Sequence, residues 1–272
     1  MSDSYFQRRP PRRRQARHAA CVAALACALA PLAAQAALSD EIQVYTDDIN
    51  APKEFGLELH TNFTPSGRRT PDYPGEAVPN HGLRITPEFS YGLTSTLEAG
   101  LYLPVNHDAG GNTELAGLKL RLKWVPLKGS EEEGGWFLGA NGELSRLRQA
   151  YSESRNSFEL RIMAGWRNPE WLVAVNPVFG WSLSDGYRGQ SPDFSLQTKV
   201  AKTIAPGVQL GAELYMEMGT TAKILPLAQQ SNTLYAALDF KVRGWDVNVG
   251  VGKGLTASAD NYTVKAIFGI PF

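Results

Sequence analysis

Lys119, Arg121 and Lys123 occupy alternate positions in the run LKLRLKW, with Leu118, Leu120, Leu122 and Trp124 filling the other register. On a strand, side chains repeat every two residues, so three cations project to one side and only apolar groups to the other. A row of three positive charges lining a wetted space would concentrate anions there. The same row facing carboxylates would instead neutralise and rigidify a filled interior. Partners for either outcome recur at alternate positions along the chain. They are Glu58 and His60, then Arg84 and Glu88, then Glu98 and Glu143. Further along come Glu159 with Arg161, Lys199, Glu213, Asp239 with Lys241, and Lys265. The signs nearly balance, so both a selective lumen lining and an internally paired lining remain open.

Nucleophilic and metal chemistry find less support. Outside the N-terminal leader the histidines are His60, His81 and His107, and none begins a His-x-Ser triplet. His107-Asp108 is similar to the His-Asp pair of omptin proteases, but no second acidic pair stands ready to face it. There is no metal-ligand spacing and no phosphate-cradling loop at a helix start. We therefore expect no catalytic, cofactor-binding or metal site.

The elements that must position these side chains are strands. Alternation of apolar with polar or small residues runs through EFGLELHTNF, LRITPEFSY, TLEAGLYLPV, LAGLKLRLKW, WFLGANGELS and FELRIMAGWR. It continues through WLVAVNPVFGWS, FSLQTKVAKT, VQLGAELYMEM, TLYAALDFKV, WDVNVGVG and NYTVKAIFGIPF. These are twelve segments of the length that crosses a bilayer as a tilted strand. Tight-turn residues separate alternate pairs, as at Asn168-Pro169-Glu170, Ala205-Pro206-Gly207 and Arg243-Gly244. Longer connections separate the others, led by the proline-rich stretch Pro65–Gly82. Short turns at one end and long loops at the other predict an all-β, up-and-down antiparallel transmembrane β-barrel. Trp124, Trp136, Trp166, Trp171 and Trp245 then fall at the short-turn end on the apolar face, as an aromatic girdle would. Lys202 is the one charge assigned to that face. Pro177 lies within a strand, and a bulge is expected there.

The compartment is read from the N-terminus. Six arginines between Arg8 and Arg17, an apolar run from Ala19 to Ala30, and Ala34-Gln35-Ala36 make a secretory signal peptide. Cleavage after Ala36 would leave residues 37–52 as a periplasmic N-terminal segment, too short for a substantial hatch domain but able to plug the pore in part, and 53–272 as the barrel. The 27 basic residues lose six and the 27 acidic residues lose one, giving 21 against 26, or −5. That balance does not suggest a nucleic-acid partner. Cys21 and Cys27 leave with the leader, so the mature chain carries no disulfide.

The final strand sets Tyr262, Phe268, Ile270 and Phe272 on one face. It resembles the C-terminal signal by which bacterial outer-membrane barrels engage their assembly machinery. FGLELHTNFTP, TPEFSYGLTSTLEAGLYLPV, LAGLKLRLKW and FLGANGELS together resemble a broad group of proteobacterial outer-membrane proteins, described as phenol meta-pathway or transporter-like. The resemblance implies a Gram-negative outer-membrane location, lipid and the assembly machinery as partners, and porin-like passage of small, often hydrophobic solutes. The alternatives are a structural or partner-binding barrel with a filled lumen, and an outer-membrane hydrolase.

Overall fold

The computed structural model describes residues 41–130 and 132–271, so the leader, Ala37–Asp40 and Phe272 lie outside the described residues. Twelve antiparallel strands close on themselves. They are β1 (Phe55–Ser66), β2 (Leu83–Gly92), β3 (Leu97–Tyr102, resuming as Val105–His107) and β4 (Thr113–Leu115, resuming as Gly117–Leu127). Then come β5 (Gly135–Leu147), β6 (Asn156–Arg167), β7 (Trp171–Ser182) and β8 (Asp193–Ala205). The circuit ends with β9 (Val208–Thr220), β10 (Ser231–Val242), β11 (Trp245–Gly254) and β12 (Tyr262–Ile270). Each strand pairs with the next, and β1 pairs with both β2 and β12, for example Leu57 with Ile270 and Thr61 with Ala266. Closure removes the free edges of the sheet, so backbone groups find partners within the ladder even where the surroundings are hydrocarbon.

The two faces are inverted relative to a soluble protein. Leu118, Leu120, Leu122 and Trp124 are 41%, 52%, 50% and 52% exposed, whereas Arg121 and Lys123 are 6% and 5% exposed. A contiguous apolar exterior of this kind fits lipid rather than water. Trp136 pairs with Trp166 across β5 and β6 at the short-turn end. The Lys202 ammonium lies 5.3 Å from the centre of the Trp171 ring, within the girdle. It is not the one charge on this face, because Arg146 and Lys253 share the outward register near the long-loop ends of β5 and β11. Trp181 marks the opposite end, packed against Phe158 and Phe179.

Turn chemistry accounts for the short end. Arg243 and Gly244 both have positive φ, 52° and 86°, which matches a two-residue hairpin whose twist follows that of its strands.

Two expectations about strand continuity are corrected. Pro177 causes no bulge: its pairing with Leu196 of β8 is unbroken. On the β6 side, pairs are missing only between Arg161–Val178 and Ala164–Val175, and the register is the same on both sides of the gap. The ring removes a donor, but no residue is inserted. The third and fourth strands, read as continuous, are each interrupted. Leu103 and Pro104 leave the ladder of β3, and the Pro104 carbonyl accepts instead from the Ala116 amide at 2.7 Å. Across this break the β3–β4 register slips by one residue, from Tyr102–Lys119 to Val105–Leu115.

Candidate functional site

The interior charges are organised as ion pairs. Arg121 on β4 binds Glu88 of β2 at 2.8 Å and also bonds Glu98 of β3. Glu88 takes a second bond from His60 Nε2 at 3.0 Å, and Glu58 lies 3.6 Å from the same nitrogen. Lys119 lies 3.6 Å from Glu143. Lys123 donates to the backbone carbonyl of Asp48 at 2.6 Å. Across the lumen, Glu213 lies 3.3 Å from Lys199 and 2.5 Å from Lys265, and Lys199 also reaches Asp239 at 2.8 Å. Arg161 binds Glu159 at 3.0 Å. All three cations of the alternating row therefore have oxygen partners. Removing one partner of a buried pair strands a charge, so the network favours one fixed arrangement.

Two of the charges named from sequence lie elsewhere. Lys241 is exposed at the short-turn rim, where it pairs with Asp246 at 3.1 Å in solvent. Arg84 is buried near the long-loop end, in the wall of a chamber described below.

Residues 41–50, read from sequence as part of a periplasmic segment, run inside the barrel. Their partners lie on strands around the whole circumference, which only an internal position allows. Asn50 donates to Glu98 of β3 and Ser90 of β2, both at 2.7 Å. Asp47 pairs with Arg167 of β6 at 2.5 Å and accepts from the Gly129 amide at 2.8 Å. Gly129 belongs to the connection between β4 and β5, the one long member of the short-turn set, so that turn folds onto the segment. Arg161 of β6 donates to the Gln43 carbonyl at 3.1 Å, and Lys265 of β12 donates to the Ile42 carbonyl at 3.0 Å.

Tyr45 is the centre of this packing and is 1% exposed. Its amide donates to Asn176 Oδ1 at 2.7 Å, and its carbonyl accepts from Asn176 Nδ2 at 3.0 Å. Its hydroxyl lies 2.7 Å from that of Tyr102 and also bonds Glu41. The Arg161 guanidinium sits 4.4 Å and the Lys123 ammonium 5.0 Å from its ring centre, within cation–π range. Two small apolar clusters complete the inner half of the lumen. Val44 packs with Phe137, Leu172, Ala174 and Ala201, and Tyr45 packs with Val125 and Met163. These apolar residues stand on the face that is otherwise polar. They were the sequence signal for the internal segment, and polarity alternation alone passed over them.

Beyond the segment, towards the long loops, lies a chamber of about 190 Å³. Glu41 and Ile42 form its floor. Arg68, Tyr73, Glu76 and Pro79, all from the connection between β1 and β2, form its roof. That connection is held down at several points. Arg68 binds Glu76 at 3.2 Å and also bonds Asp72, and its amide donates to Asp260 at 2.8 Å. Gly67 donates to Asn80 at 3.1 Å, and Ala77 donates to the Ala150 carbonyl of a neighbouring loop at 2.8 Å.

His107 and Asp108 form no catalytic pair. His107 Nδ1 lies 2.8 Å from Thr113 Oγ1, and Asp108 accepts from both the amide and the side chain of Asn112. Those bonds close the loop and hold the Asp108 carboxyl below its usual value. On β12, Tyr262 and Val264 face outward while Thr263, Lys265 and Ile267 are buried. Phe268 faces the same side as Tyr262, 6.4 Å from the Trp245 ring.

No protein-family model matches the chain, and no curated protein matches it. Solved structures do. An outer membrane channel from Pseudomonas putida F1 superposes with a TM-score of 0.59 at 14% identity, over 85% of this chain and 100% of that one. The KdgM porin superposes with a TM-score of 0.53 at 12% identity, over 80% of this chain and 99% of that one. The same porin in complex with disordered oligogalacturonate gives a TM-score of 0.53 at 11% identity, over 80% and 99%. This chain shares with them the closed outer-membrane barrel fold.

Proposed function

We propose that this barrel is a passive outer-membrane channel for small solutes whose inner half is closed by its own N-terminal segment. The observation that carries the reading is the chamber between the segment and the β1–β2 loop: an internal space lined by charged and hydroxyl groups, floored by Glu41 and Ile42 and roofed by residues of that loop. A purely structural barrel of twelve strands has no need of such a space. The fold shared with outer-membrane channels supports the same reading. The segment is tethered mostly by hydrogen bonds and ion pairs, so displacing it exchanges those partners for water and leaves the strand ladder intact. Passage then follows concentration, without energy coupling.

The solute class is narrower than the porin label. Tyr73, Tyr151, Tyr215 and Tyr235 bring four aromatic rings to the chamber, which suits small aromatic or amphipathic solutes. That supports the resemblance to the phenol meta-pathway group. Export across the inner membrane with removal of residues 1–36, insertion by the barrel assembly machinery through the last strand, and a lipid-embedded exterior complete the proposal. Swelling of liposomes carrying the refolded barrel tests it: entry of small neutral and charged solutes should rise when residues 37–49 are deleted. A second reading, a structural barrel with a permanently filled lumen, is favoured by the paired interior charges. It predicts no swelling in either form.

A further inference from the structure

Glu217 stands apart from the other interior carboxylates. It projects from β9 into the chamber, and its Oε2 is buried without a donor. Its register partners are Ser195 on β8 and Ser231 on β10. One carboxylate and two hydroxyls therefore stand in a row across three strands, and all three residues line the chamber. Tyr215, two positions from Glu217, and Tyr235, four positions from Ser231, lie further in, with ring centres 5.4 Å apart and an edge-on arrangement. The bases nearby are already engaged. Arg68 binds Asp72 and Glu76, Lys119 binds Glu143, and Arg161 binds Glu159. Asp260, Asp193 and Asp72 are the other acids acting on Glu217, with Arg68 the base that opposes them.

We infer that the chamber binds a small organic cation, an aromatic or alkyl ammonium, with its charged head on Glu217. The inference rests on reading the chamber as the solute site of a channel. A primary ammonium carries three donors and no acceptor. The Glu217 carboxylate, Ser195 and Ser231 offer acceptors for all three. A ring or short chain behind the head would lie against Tyr215 and Tyr235, whose faces also attract cations. An anion would meet an unpaired carboxylate, and a neutral alcohol would leave it without a counter-charge. The chamber thus discriminates by charge in the sense opposite to that suggested by the β4 row alone.

Equilibrium binding to the refolded full-length barrel tests this, with benzylammonium, benzyl alcohol and benzoate as matched probes. Benzylammonium should bind saturably and about tenfold or more tightly than either of the others, the factor a charge-assisted hydrogen bond supplies. Glu217→Gln should abolish that preference while the barrel keeps its heat-dependent gel shift. Ser195→Ala, which leaves the carboxylate in place, should weaken benzylammonium binding less. Equal binding of the three probes, no saturable binding, or an unchanged preference in Glu217→Gln would overturn the site. Binding is measured without current, so the two readings fail separately. A barrel that binds benzylammonium yet never conducts keeps the site and loses the channel. One that conducts after deletion of residues 37–49 yet binds none keeps the channel and loses the site.

Discussion

Asn176 holds Tyr45 by both backbone groups, accepting from its amide at 2.7 Å and donating to its carbonyl at 3.0 Å. The side chain thus acts as a short piece of strand, pairing a segment that belongs to no ladder. It does so at the place where Pro177 interrupts pairing between β6 and β7. Buried backbone groups need such partners, and an internal segment crossing a lumen has few other sources of them.

Replacing Asn176 with Ala should therefore loosen the segment without unfolding the barrel. Two hydrogen bonds at about 1 kcal/mol each, plus the cost of unpaired buried groups, put the loss near 2–3 kcal/mol. Hydrogen exchange at the Val44–Thr46 amides reports it directly. Faster exchange there, with unchanged exchange in β7 and β8, is the expected pattern. Uniform acceleration across the barrel would instead mean a general loss of stability.

Arg121 should be the costliest interior charge to remove. Arg121→Met takes from Glu88 and Glu98 the guanidinium they share, and breaking a buried pair in this way costs about 3–5 kcal/mol. Lys241→Met removes an exposed rim pair with Asp246 and should leave stability unchanged within error. Urea unfolding of the two refolded variants gives the comparison. Equal midpoints would show that the network contributes little.

The roof of the chamber depends on Arg68, which binds two acids by its side chain and Asp260 by its amide. Arg68→Ala should release residues 67–82 from the rim. Limited proteolysis should then cut within that stretch faster than in the native protein, while the remaining barrel stays resistant. An unchanged cleavage rate would place the anchoring in Gly67, Asn80 and Ala77 instead.

The terminal strand offers a cellular test. Tyr262 and Phe268 face outward, and β12 closes the barrel against β1. Phe272→Ser should lower the amount of assembled barrel in the outer membrane and leave degraded precursor in the periplasm. Unchanged abundance would remove the assembly role and leave the barrel itself untouched.

These relationships differ in how far the sequence discloses them. The period-two pattern in LKLRLKW fixes which face is lipid and which is interior, because a one-residue slip would put Arg121 into hydrocarbon. The girdle tryptophans and the short-turn glycines are legible for the same local reason. Pro177 misleads because a proline can be absorbed by losing pairs on one side rather than by inserting a residue. The internal segment is harder to see. Gln43-Val44-Tyr45 has no period of its own, and its fit depends on Phe137, Met163 and Leu172, which come from three different strands. Ion pairing is likewise a matter of register between strands: the composition shows balanced signs, but only the geometry sets Arg121 between Glu88 and Glu98.

In the proposed channel, residues 41–50 close an otherwise passable lumen. Single-channel recording in planar bilayers, comparing the refolded native barrel with one lacking residues 37–49, tests it most directly. The native protein should be closed or open only briefly, and the shortened protein should conduct steadily while keeping its heat-dependent gel shift. A shortened, folded barrel that conducts no more than the native one would contradict it.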